Sequence, residues 1–105
     1  MGREETKIED YLRERVKALG GETRKCTYQG RAGALDQMCF FPGGRLLIVE
    51  CKRPGKNKLD PLQEVELKFL LDNGFSATWV NTKEQVDAVL KEFLGEEFQP
   101  PRVPR

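Results

Sequence analysis

Histidine is absent from this chain of 105 residues. That excludes imidazole general bases and most transition-metal sites, so any resident metal must be held by oxygen, which points to Mg²⁺ or Mn²⁺. Cysteine is scarce: Cys26, Cys39 and Cys51 are odd in number and lack C-x-x-C spacing. Two of them sit in apolar runs, which reads as buried reduced thiols rather than a disulfide or zinc site. No apolar run approaches the roughly 20 residues that span a bilayer, and no basic-then-apolar signal segment opens the chain, so a cytoplasmic protein away from membranes is expected. Excess charge is lacking too, with a net charge of +1.

What charge there is lies unevenly. Between Arg24 and Lys58 stand eight basic residues (Arg24, Lys25, Arg31, Arg45, Lys52, Arg53, Lys56, Lys58) against two acids, Asp36 and Glu50. That stretch carries +6 and the remainder −5. A cationic surface broken by two carboxylates is what cleavage of a phosphodiester needs; the plainer alternative is a solvated basic hairpin.

The pattern of apolar residues predicts the element order αβββαβα. Ile8, Tyr11, Leu12, Val16 and Leu19 recur at helical spacing within residues 4–19, stopped by Gly20-Gly21. Residues 22–28 form a weak strand, followed by a Gly-rich basic loop. The runs Ala34–Phe41 and Leu46–Cys51, split by Pro42-Gly43-Gly44-Arg45, predict an antiparallel hairpin. Asp60 caps a second helix with Pro61 at its first position, and Leu62, Val65, Phe69 and Leu70 form its expected apolar face. Residues 75–80 make a strand. Thr82 and Gln85 form a capping box for a third helix carrying Val86, Val89, Leu90, Phe93 and Leu94. The fold class is α/β, a mixed central sheet flanked by helices. Residues 1–95 form a single domain, and residues 96–105 an extended or disordered tail.

The chemistry concentrates in the hairpin. Strand alternation puts Glu50 and Lys52 on one face, with Leu47, Val49 and Cys51 on the other. Asp36, in the neighbouring strand, can come close to Glu50. Two carboxylates sharing a Mg²⁺ can hold it against a phosphate oxygen. Lys52 can orient or deprotonate the attacking water, or neutralise charge developing on the phosphate. A cross-strand salt bridge is the bland alternative.

Gly33-Ala34-Leu35-Asp36, Val49-Glu50-Cys51-Lys52 and Asp60-Pro61-Leu62-Gln63 together resemble the VRR-NUC nucleases of the PD-(D/E)xK superfamily, over about residues 4–93. The stand-alone length is similar to phage and bacterial members. The resemblance implies a restriction-endonuclease-like core, with Asp36, Glu50 and the Cys51 carbonyl as metal ligands. It also implies Lys52 as the catalytic lysine and Gln63 as a supporting residue, a role compatible with capping. Glu5 best matches the family's helical glutamate, with Glu4 and Glu9 as neighbours; Glu9 could also close a capping box with Thr6. Activity as an endonuclease on branched DNA, as a homodimeric Holliday-junction resolvase, is the implied function. A two-fold dimer suits the near two-fold symmetry of a four-way junction. Arg24, Lys25, Arg31, Arg53, Lys56 and Lys58 would track backbone phosphates. Flap, single-strand or duplex cleavage, and a catalytically silent DNA-binding module, are the alternatives.

Overall fold

The computed structural model describes residues 3–102. Helix α1 (Arg3–Ala18) leads into strand β1 (Glu22–Lys25), then the hairpin strands β2 (Gln37–Phe41) and β3 (Arg45–Cys51). Helix α2 (Pro61–Asp72), strand β4 (Ser76–Val80), helix α3 (Lys83–Leu94) and one 3₁₀ turn (Gly95–Glu97) complete the order. The strands form one mixed sheet in the order β1-β2-β3-β4. Strands β2 and β3 pair antiparallel, with Cys39 opposite Leu47, and β3 and β4 pair parallel, with Glu50 opposite Trp79. Gly43 and Gly44 both take positive φ, at 85° and 74°, the conformation a tight hairpin demands and side chains with a Cβ resist. The expected α/β architecture and element order are those observed.

Helices α1 and α3 cover one face of the sheet. Ile8, Leu12 and Val16 meet Cys39, Phe41, Leu47, Val49, Cys51 and Val80, with Val86, Leu90 and Leu94 closing the layer. Alternation along β3 then turns Glu50 and Lys52 to the opposite face, as expected from the sequence. Cys39 and Cys51 are buried and Cys26 is half-buried, all three as free thiols. Burial pushes the Cys39 thiol up to about 12 and the Cys51 thiol still higher.

Three expectations are corrected. Residues 26–28 leave the strand, and β2 begins at Gln37 rather than Ala34, so Asp36 sits in a bend just before the strand. The Cys26 amide still donates to the Asp36 carbonyl at 2.8 Å, continuing the pairing by one bond. Of the four residues expected on the buried face of α2, only Leu70 is buried; Leu62, Val65 and Phe69 are 55%, 60% and 54% exposed. The helix packs on the outer strand β4, beside Trp79, and Glu66 rather than the apolar stripe turns inward. The capping box of α3 is half realised. The Gln85 amide donates to Thr82 Oγ1 at 3.1 Å, but the Gln85 side chain accepts from the Asn81 amide.

After Gly95 the chain makes its 3₁₀ turn, and Phe98 then packs against the core, with Arg15 stacked over its ring and donating to the Gln99 carbonyl. Residues 103–105 of the expected tail lie outside the described residues. No helix of the described residues is long and apolar enough to cross a membrane.

Candidate active site

The end of β3 delivers Glu50 to the edge of the core, where it is 3% exposed. One of its oxygens, Oε1, accepts the Asp36 backbone N–H at 2.8 Å. The other, Oε2, lies 3.3 Å from Lys52 Nζ. Burial raises the Glu50 carboxyl above its usual range; the Asp36 amide and the Lys52 ammonium pull it back in part. The lysine is itself buried, and its ammonium also reaches Asp60 at 3.5 Å. Asp36, Glu50 and Lys52, which the sequence reading put together, are thus held in one place by direct contacts. Asp60, expected only as a helix cap, is a second anion for Lys52. Cys51 sends its side chain into the core between them.

Helix α1 adds acids from the other side. Carboxylate oxygens of Glu5, Glu9 and Asp36 lie within 4.8 Å of one another. Glu9 is the more buried of the two glutamates. Burial raises its pKa, as do a hydrogen bond with Asp36 and the negative charges of Asp36 and Glu5, against the attraction of Lys25. The signal for Glu9 was present in the sequence: with Leu12, Val16 and Leu19 it stands at helical spacing, a carboxylate on a stripe otherwise apolar. The capping role considered for Glu9 does not hold, because the helix already runs from Arg3 and Thr6 lies inside it.

Gln63 serves two ends. Its Oε1 accepts the Asp60 amide at 3.3 Å, as the capping role predicts, and its Nε2 donates to the Ala34 carbonyl at 3.3 Å, two residues before Asp36. Nearby, Gly33 takes φ +104°, and a Cβ there would come 2.9 Å from the Leu62 carbonyl oxygen. The loop before Asp36 is therefore pressed against the first turn of α2. Buried Glu66, one turn further on, accepts the Tyr28 hydroxyl and pairs with Arg31, whose guanidinium stacks on the Tyr28 ring. Burial and this hydrogen bond push the Tyr28 hydroxyl up to about 12. Sequence reasoning gave no sign of this anchor, since it joins residues far apart in the chain.

The six basic residues expected at DNA are differently engaged. Arg53 and Lys58 are exposed and, among the described residues, carry no ion pair. Lys56 lies 3.7 Å from Asp60, Arg24 pairs with Glu22, and Arg31 is held by Glu66. Lys25 turns into the acid cluster, 3.3 Å from Asp36 and 3.5 Å from Glu9. Partial burial lowers its pKa, but attraction to Asp36 and Glu9 outweighs this and the net shift is upward.

The donor set around Asp36 consists of carboxylate oxygens, the chemistry of hard divalent cations such as Mg²⁺ and Mn²⁺. A cationic group, the Lys25 ammonium, already lodges among them. The residues present fit such an ion.

Comparison with known proteins adds relatives to this geometry. The sequence matches no protein-family model. It is 38% identical over 52 residues to a protein of Acyrthosiphon pisum secondary endosymbiont phage 1 described as "Putative nuclease p44". That match takes in 50% of this chain and 56% of the phage protein, so the chain spans about half of that relative's length. A solved structure described as "VRR_NUC domain" superposes with a TM-score of 0.82 at 34% identity, over 86% of this chain and 97% of the other.

Proposed function

This chain belongs to the VRR-NUC family, and from that premise we propose that it is a Mg²⁺- or Mn²⁺-dependent endonuclease acting on branched DNA. The observation that carries the reading is the junction of Asp36 and Glu50 through a 2.8 Å hydrogen bond, with the Lys52 ammonium 3.3 Å from Glu50. When bound, a divalent ion would supply Lewis acidity to the scissile phosphate and acidity to a water. Asp36, Glu50 and the Cys51 carbonyl would hold it, with Glu9 and Glu5 closing the helical side.

Lys52 is positioned to orient the attacking water and to offset charge on the pentavalent phosphate. Its contacts with Glu50 at 3.3 Å and Asp60 at 3.5 Å fix the ammonium beside the site, a placement that suits charge stabilisation. Gln63 holds the Ala34 carbonyl and so steadies the approach to Asp36. Exposed Arg53 and Lys58, with Lys56 and Arg24, would meet backbone phosphates without reading bases.

The substrate class we propose is a four-way junction cut by a homodimer. Support for pairing comes from α2, where Leu62, Val65 and Phe69 form a stripe more than half exposed, a face that a second copy would cover. The test is nicking of labelled four-way junctions beside flap, single-stranded and linear duplex substrates, with Mg²⁺ or Mn²⁺. Cleavage of the junction should fall by about 10²-fold or more in Asp36→Ala and Lys52→Ala, with binding retained. Wild-type rates in both variants would remove the site assignment. Equal rates on linear duplex and junction would remove the junction preference. Absence of cutting on every substrate would leave a DNA-binding module.

A further inference from the structure

A lysine that is 64% exposed has open solvent available to its ammonium, yet Lys25 Nζ lies 3.3 Å from Asp36 and 3.5 Å from Glu9. Three carboxylates crowd this spot, with Glu5 as the third, and nothing else of positive charge is described at hydrogen-bonding distance from Glu9 or the Asp36 carboxylate. Lys25 therefore offsets part of the cluster's negative charge while no ion is bound. Lys52 cannot share this task. Its side chain is 10% exposed and is committed to Glu50 and Asp60.

A divalent cation takes carboxylate oxygens at roughly 2.0–2.6 Å. An ammonium sitting between the same oxygens would then be both sterically displaced and repelled by the new charge. The chain gives it somewhere to go. Lys25 is the last residue of β1, on a flexible four-carbon stem whose remaining surface faces solvent, beside the site at which a phosphate would be cut.

We infer that Lys25 is an exchangeable counter-ion: it fills the acid cluster in the metal-free protein, is expelled by the divalent ion, and then pairs with a DNA phosphate. This rests on the metal-dependent nuclease reading above. It makes Lys25 a positioning residue that couples the two ligands. Metal frees a phosphate contact, and DNA, by holding Lys25 away, removes a competitor of the metal. By linkage the two enhancements are equal in size.

The experiment compares the full wild-type chain with Lys25→Met, which keeps the stem and removes the charge, and with Lys25→Arg. Mn²⁺ binding without DNA is measured by calorimetry, and junction binding by fluorescence anisotropy with and without Ca²⁺ as a divalent probe. Lys25→Met should bind Mn²⁺ about 5- to 10-fold more tightly than wild type, the lower end of an ordinary coupling between sites, with Lys25→Arg near wild type. Adding Ca²⁺ should steepen the dependence of log affinity on log salt by about 0.9 more in wild type than in Lys25→Met, one additional phosphate contact. Unchanged or weaker Mn²⁺ binding in Lys25→Met, with wild-type binding intact and abolished by Asp36→Ala, overturns the exchange and leaves the metal site standing. Failure of the wild-type chain to bind Mn²⁺ overturns both.

Discussion

Glu9 shows how a single carboxylate in the proposed site burdens the fold. Its carboxylate is mostly buried beside two other acids, so its pKa in the folded protein lies above the usual 4.5 of a glutamate. A raised acid favours the folded state most below its unfolded pKa, and that advantage is lost as pH rises through the folded value. At neutral pH, Glu9 is therefore a burden on the metal-free chain. Glu9→Gln should raise the melting temperature of the metal-free protein at pH 7, and the difference should shrink as pH falls towards 4.5. Nuclease activity should drop in the same variant, the trade expected where an active site stores like charges. A scanning-calorimetry series in pH checks the first half; a lower melting temperature at pH 7 would remove the argument. Glu50, buried and raised in the same direction, is less suited to this test because its removal strands the buried Lys52 ammonium.

Among the elements, the loop from Cys26 to Leu35 has the least regular structure and some of the most specific anchoring. Gly33 lies against the Leu62 carbonyl, Gln63 holds the Ala34 carbonyl, and Glu66 takes the Tyr28 hydroxyl. All three contacts reach α2, so α2 acts less as a core helix than as a wall that fixes the approach to Asp36. Gly33→Ala combines a positive φ with a 2.9 Å clash against backbone. It should cost about 1–3 kcal/mol in denaturant unfolding. Cleavage should fall by more than the unfolded fraction explains, since Asp36 lies three residues downstream. Wild-type stability and rate together would show that the loop tolerates another path.

For the whole molecule, the uneven cover of the sheet is decisive. One face is sealed by α1 and α3, while on the other α2 packs chiefly on β4, and Phe40 of β2 stays 41% exposed. A charge placed in the α2 stripe distinguishes a partner surface from incidental exposure. Phe69→Asp should turn the proposed dimer into a monomer in sedimentation while leaving the fold intact, because the residue is 54% exposed and lies outside the buried core cluster. Junction cleavage should then lose its paired nicks. A wild-type chain that sediments as a monomer would remove the proposed pairing.

Local pattern in the sequence was enough for the element order, the hairpin, and the alternation that sets Glu50 and Lys52 on one face and Val49 and Cys51 on the other, because a strand's period of two is a property of the backbone. The same local logic failed for α2: Leu62, Val65 and Phe69 are apolar at helical spacing, but spacing says only that they share a side, not which side meets the sheet. Tertiary structure alone decided that Glu66 turns inward, that the Lys25 ammonium reaches the acids while the rest of its side chain stays exposed, and that Glu9 meets Glu5 and Asp36. Each of these depends on Coulomb and packing contacts between segments distant in the chain, and such contacts exist only once α1, β1 and α2 have taken their places around the sheet.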